Sequence, residues 1–87
     1  MLTIFKYSLH PGRGQNFRLP EGAKPLTAQM QSGELCIWVQ FEDARPLDEL
    51  HTFDVYGTGH ILRDDPGTYI ATVQDGPFVW HIYERTP

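Results

Sequence analysis

The sequence is short of several things, and each shortage excludes something. It has one cysteine, Cys36, so a disulfide framework is absent and a reduced, cytoplasmic setting is favoured. Cys36 lies in a strand-like run, where a lone thiol reads as a small core hydrophobe. Basic residues are few: seven Lys and Arg stand against eleven Asp and Glu, giving a formal net charge of -4. General nucleic-acid binding and adhesion to anionic membranes need basic stripes that this chain lacks. A small anionic ligand held by two or three local donors remains compatible with that charge. Apolar runs extend only a few residues, far short of a membrane span, and residues 1–9 mix apolar and polar side chains with Lys6, so no signal peptide is expected.

Chemistry with a clear signature is also missing. His10, His51, His60 and His81 show no close ligand spacing such as His-x-His, so no metal site is assigned. There is no Gly-x-Ser-x-Gly elbow, no Cys/His signature and no sign of a triad. Asp64 and Asp65 precede Pro66-Gly67 and read as turn formers, not as a catalytic carboxylate pair. No catalytic residue and no cofactor are assigned, and binding is expected in place of catalysis. No stretch sustains a helical period, so little or no helix is expected.

What remains is strands and turns. The chain has 87 residues with five Phe, four Tyr and two Trp, enough for a single β-rich domain over residues 1–87. A chain this short buries only about 60–65% of its unfolded surface, and self-association widens so thin a margin. Alternation predicts seven short strands: Thr3–Leu9, Gln15–Leu19, Leu26–Gln31, Glu34–Phe41, His51–Tyr56, Thr68–Gln74 and Phe78–Glu84. The fold class is all-β, a small antiparallel sandwich or barrel. His10–Gly14 reads as a hairpin turn joining the first two strands, Ser32-Gly33 as a second hairpin and Asp75-Gly76 as a third. Glu34–Phe41 is apolar on both faces, which marks a central strand or one covered by a second layer or subunit. Phe78–Glu84 is two-faced as well; at an edge it would need covering, a further reason to expect a homo-oligomer.

The sharpest local feature is the end of the fifth strand, Gly57-Thr58-Gly59-His60. Two glycines permit positive φ and close approach of a ligand, and successive amides in such a turn can cradle an anion. Thr58 adds a hydroxyl and His60 an imidazole donor; Arg63 and Arg13 are within plausible reach. No lysine and no helix follow, so this is neither a phosphate-binding Walker loop nor a dinucleotide fingerprint. The competing interpretation is a bulged turn with His60 on the surface. Trp38, Trp80 and Tyr83 are candidates for an aromatic platform on which a base stacks, against the plainer alternative of core packing.

The chain as a whole resembles a family of small phage- and prophage-encoded proteins that carry a domain of unknown function. The resemblance rests on Ile4-Phe5-Lys6-Tyr7-x-Leu9, Leu19-Pro20-x-Gly22-Ala23, Gln29-x-Gln31-x-Gly33, Leu35-x-Ile37-Trp38, Tyr56-Gly57-Thr58-Gly59-His60, Tyr69-Ile70-x-Thr72 and Phe78-Val79-Trp80-His81-Ile82-Tyr83-Glu84. Ala71 stands where the family pattern has glycine. The resemblance implies a cytosolic accessory protein acting in the host cell during infection or lysogeny, by binding. Two modes are expected from it. One is sequestration of a small anionic or nucleotide-type ligand, such as an immune signal, by a homo-oligomer. The other is inhibition of a host defence protein through an acidic surface around Glu42–Glu49. Degradation of a small ligand is a third and lesser reading.

Overall fold

Alternating apolar and polar side chains can bury one face of a strand only if a second layer covers it. The structure, a computed structural model that describes residues 1–86, supplies that layer. Seven antiparallel strands form: β1 (Leu2–Leu9), β2 (Gly12–Leu19), β3 (Lys24–Gln31), β4 (Glu34–Glu42), β5 (Glu49–Gly57), β6 (Thr68–Asp75) and β7 (Phe78–Glu84). They make a three-stranded sheet, β1-β4-β3, and a four-stranded sheet, β2-β5-β7-β6. No helix occurs among the described residues. All seven strands contribute to one core, with Leu19, Ile37, Val39, Phe53 and Ile82 fully buried. Tyr7 of β1 and Phe17 of β2 meet across the two sheets with ring centroids 5.2 Å apart, and Phe17 touches Phe53 at 5.9 Å. The fold is thus an all-β sandwich, as the alternation predicts.

The strand pairings differ from the sequence reading in two places. β1 and β2 do not form a hairpin. β1 pairs with β4 and β2 with β5, so His10-Pro11 crosses from one sheet to the other. Turn chemistry marks a change of direction and does not say whether the next strand pairs or crosses. The crossing is tied by Gln15, a buried side chain that accepts the His10 N–H at 2.9 Å and donates to the carbonyls of His10 and Gly12 at 2.7 and 3.0 Å. These bonds satisfy backbone groups that a hairpin ladder would otherwise have paired. The hairpins at Ser32-Gly33 and Asp75-Gly76 do form, as β3–β4 and β6–β7.

The two-faced strands also find a plain explanation. β4 is the middle strand of its sheet, and β7 lies between β5 and β6. Neither is an edge, so the argument for an oligomer from an exposed final strand falls away. Two register shifts turn side chains away from the faces that strict alternation gives them. The shift between Pro25 and Thr27 leaves Leu26 40% exposed on the outward side. The shift between Tyr69 and Ala71 packs Ile70 against the core and leaves Tyr69 exposed.

Candidate functional site

The turn that ends β5 is closed by a hydrogen bond from the His60 N–H to the Gly57 carbonyl at 3.0 Å, and the Thr58 N–H donates to Val79 of β7 at 3.3 Å. Gly59 has φ of +88°, the left-handed value a type II turn needs at its third residue. Gly57 is there for space instead. A Cβ on it would stand 2.9 Å from Cε1 of His60. The imidazole folds back over the turn, and its Nδ1 accepts the Gly57 N–H at 3.0 Å. Three of the turn's four amides are therefore engaged within the protein. The turn offers a ligand side chains, not the concave row of amides that two glycines predict.

Two clefts flank His60. One, of about 560 Å³, is lined by Pro11, Gly12, Arg13, Val55, Tyr56, His60, Ile61 and Trp80. The other, of about 350 Å³, is lined by Gly57, Thr58, His60, Pro77, Phe78, Val79 and Trp80. His60 and Trp80 are walls of both. Trp80 packs against the core, donates Nε1–H to Asp75 at 3.4 Å and stacks on Phe78 at 5.7 Å with 20° between the planes. Phe78 is 57% exposed, so one aromatic face is open to solvent at the cleft. Arg13 lies over the Tyr56 ring, 5.3 Å from its centroid, and donates to the Ile61 carbonyl at 2.5 Å. It forms no ion pair with a carboxylate among the described residues.

Behind Tyr56 is a carboxylate that no sequence motif singles out. Asp54 is fully buried on the outward side of β5. Arg85 donates Nε–H and Nη2–H to its two oxygens at 2.9 and 2.8 Å, the Gly14 N–H donates at 2.8 Å, and Arg63 stands 3.9 Å away. Burial by itself raises the Asp54 pKa. The Arg85 and Gly14 hydrogen bonds and the charges of Arg85 and Arg63 outweigh it and hold the group below its ordinary value. Around Tyr56 and Asp54, three guanidiniums (Arg13, Arg63, Arg85) meet one carboxylate, which leaves two positive charges in a chain whose net charge is -4.

The outward side of β7 carries a polar chain. Thr58 Oγ1 lies 2.8 Å from His81 Nε2, His81 Nδ1 lies 3.1 Å from Thr72 Oγ1, and Thr72 Oγ1 lies 2.7 Å from the Tyr69 hydroxyl. His81 stands between apolar residues in Val79-Trp80-His81-Ile82, a setting that suits a hydrogen-bonded core histidine. It is hydrogen-bonded, but it faces outward and is half-exposed.

The predicted site residues thus divide. Gly57, Thr58, Gly59, His60 and Trp80 come together at one end of the four-stranded sheet. Arg63 does not line the clefts; it reaches Asp54, and its N–H meets the Tyr56 hydroxyl at 3.4 Å. Tyr83 packs edge-on between Tyr56 and Tyr69, at 5.9 and 5.5 Å, further along the outward face. Trp38 is separated from all of them. Ile37 and Val39 point into the core from β4, so alternation turns Trp38 out on the opposite sheet, into a shallow hollow with Ile4, Leu26, Thr27 and Gln29. Arg13, Phe78 and Asp54 are the residues that sequence reasoning undervalued. Asp54 had a readable sign: a carboxylate inside Phe53-Asp54-Val55-Tyr56 needs a cationic partner once the strand is buried.

No curated protein and no solved structure matches this chain. A model of one protein family does, across residues 1–87, and its description is a domain of unknown function. The two-sheet sandwich with its His60–Trp80 clefts is therefore the architecture of a member of that family: the chain belongs to the DUF7352 domain family.

Proposed function

We propose that this domain binds and sequesters a small anionic ligand of nucleotide type, as a homo-oligomer. The observation that carries the reading is the shared wall. His60 and Trp80 separate a cleft that holds the Arg13 guanidinium from a cleft bounded by the Phe78–Trp80 stack. A ligand with an anionic end and a planar end fits that division. Its charge meets Arg13 and the free edge of His60, and its ring lies against Phe78. Arg13 takes the part that the sequence gives to Arg63. Binding without turnover agrees with the engagement of His60, whose Nδ1 already accepts the Gly57 amide and so is not available there as a base. The setting we propose is that of a phage or prophage accessory protein working against host defence in the cytosol. That setting rests on the resemblance of the sequence.

Isothermal titration calorimetry tests the binding. Linear and cyclic mononucleotides are titrated alongside inorganic phosphate. The reading expects saturable heat with a nucleotide, weaker heat with phosphate, and at least about a tenfold loss of affinity in Arg13→Ala. No heat with any of them overturns it. A second reading, a blocker of a host protein, is favoured by one observation: residues 43–50 are all exposed, with Leu47 59% and Leu50 50% open among Asp43, Asp48 and Glu49.

A further inference from the structure

A strand at the edge of a sheet leaves one row of backbone donors and acceptors unpaired, and proteins guard such edges with bulges, prolines and charges. Three of the four edge strands here are guarded. β2 shifts register between Gly12 and Gln15, β3 between Pro25 and Thr27, and β6 between Tyr69 and Ala71. β3 and β6 also lie against each other. β2 adds Arg13 and Arg18, and β3 adds a proline within the strand.

β1 has none of these protections. It pairs with β4 through eight consecutive residues, from Leu2 opposite Glu42 to Leu9 opposite Leu35, with no shift. On its other flank no strand lies beside it, and no backbone hydrogen bond is made there among the described residues. Leu2, Ile4 and Phe5 are 68%, 52% and 51% exposed. The one charge in the strand is Lys6, and its ammonium donates across the outer face of the sheet to Gln31 Oε1 of β3 at 2.5 Å. It therefore does not stand over the open edge.

We propose that β1 pairs with β1 of a second copy, antiparallel across a two-fold axis, to join two three-stranded sheets into one of six. Such an axis stands perpendicular to the sheet. Opposed residues then share a face, so the axis passes midway between the two copies of a single residue, on which the register is centred. A register centred on Lys6 sets two ammonium groups opposite each other. A register centred on Ile4 leaves Tyr7, Ser8 and Leu9 without partners in the strand. A register centred on Phe5 pairs the strand from Leu2 to Ser8. Phe5 then meets Phe5 of the second copy beside Phe41, whose ring is 5.2 Å from Phe5 within each chain. Ile4 lies along the methylene stem of Lys6 of the second copy. Each chain has one unguarded edge, so the contact uses itself up and the assembly closes as a dimer, not a fibre.

The inference deepens the homo-oligomeric half of the proposed function and rests on it for the existence of an assembly. The clefts at His60 and Trp80 are built on the four-stranded sheet, so loss of the dimer and loss of ligand are read separately. Sedimentation velocity over a concentration series tests it, on the wild type, Ile4→Lys and Ile4→Glu, with circular dichroism melts confirming that each is folded. Ile4→Lys sets a lysine opposite Lys6 twice in the dimer and weakens association by about tenfold or more. Ile4→Glu sets a carboxylate there and keeps the dimer, with a dependence on salt that the wild type lacks. A wild type that is monomeric at every concentration overturns the proposal, as does an assembly that Ile4→Lys leaves unchanged. Equal loss in both variants overturns the Phe5-centred register. Nucleotide heat from a monomeric wild type leaves the ligand reading standing while this one fails.

Discussion

The two outward faces of the sandwich are made by the same alternation and do different things. The face of the three-stranded sheet is simple: Ile4, Lys6 and Ser8 of β1, Cys36, Trp38 and Gln40 of β4, Gln29 and Gln31 of β3. Its polar bonds, such as Lys6 to Gln31 and Ser8 to Glu34, are exposed pairs. The face of the four-stranded sheet buries a charge. Asp54 is clamped by Arg85 and Gly14 under a row of tyrosines, and His81 is held between two threonines. Exposed polar pairs are worth little, because water replaces either partner at small cost. A buried carboxylate is different, since removing its partners strands a charge with no water to solvate it. The comparison teaches that one pattern of in-and-out residues yields a passive surface or a rigid polar framework, depending on whether something covers it.

The largest expected effect tests that contrast directly. Arg85→Ala leaves the fully buried Asp54 carboxylate with only the Gly14 amide and Arg63, 3.9 Å away, and should cost about 3 kcal/mol by urea denaturation. Gln29→Ala, exposed on the other face, should stay within about 0.5 kcal/mol. Equal and small losses in both variants would mean the Asp54 clamp is no stronger than a surface pair. The conservative Asp54→Asn carries the pH consequence. The Asp54 pKa lies lower in the folded than in the unfolded chain, so the unfolded state takes up the proton first as pH falls. The contribution is complete above about pH 5, about a unit above the unfolded value, and is lost as pH drops through the folded value. Melting temperature between pH 7 and pH 2 should therefore fall more steeply in the wild type than in Asp54→Asn. Parallel curves would remove Asp54 from the acid sensitivity of the fold.

Much of the fold is legible in the sequence because strands are a local matter. Alternation and turn residues place all seven strands within about three residues at either end. Pairing is not local. His10-Pro11-Gly12 looks the same whether β1 turns back on itself or crosses to the other sheet, and the crossing brings Tyr7 against Phe17, a contact between sheets that a local pattern does not read. The bulge that turns Tyr69 outward has no marker in Tyr69-Ile70-Ala71, since none of the three is a glycine or a proline. For the site, the Gly57–His60 turn and Trp80 were readable from glycine spacing and aromatic position. Trp38 lies on the other sheet, apart from the turn, because alternation gives a strand two faces and does not say which partner covers each. Arg13 is hard to place because it stands at the start of β2, distant in sequence from the Tyr56 and Ile61 that it touches.

The smallest effect bears on whether the His81 chain is framework or ornament. His81 is held at Nε2 by Thr58 and at Nδ1 by Thr72, which in turn meets the Tyr69 hydroxyl. Thr72→Val keeps the β-branched shape and removes the hydroxyl. A neutral hydrogen bond on a half-exposed surface contributes at the low end of the usual range, so the loss should be about 0.5 kcal/mol. Stability alone cannot separate that from noise, and nitrogen-15 NMR of the imidazole gives the second reading. With both ring nitrogens held, the neutral ring should populate one tautomer; with Thr72 gone, Nδ1 has only water and the two should mix. Thr58 sits in the wall of the smaller cleft, so a His81 that loses its orientation loosens the hydroxyl beside the proposed ligand. An imidazole spectrum unchanged by Thr72→Val would show that the outward face of β7 orders its histidine without the threonine, and that its polar chain is no more structural than the pairs on the other sheet.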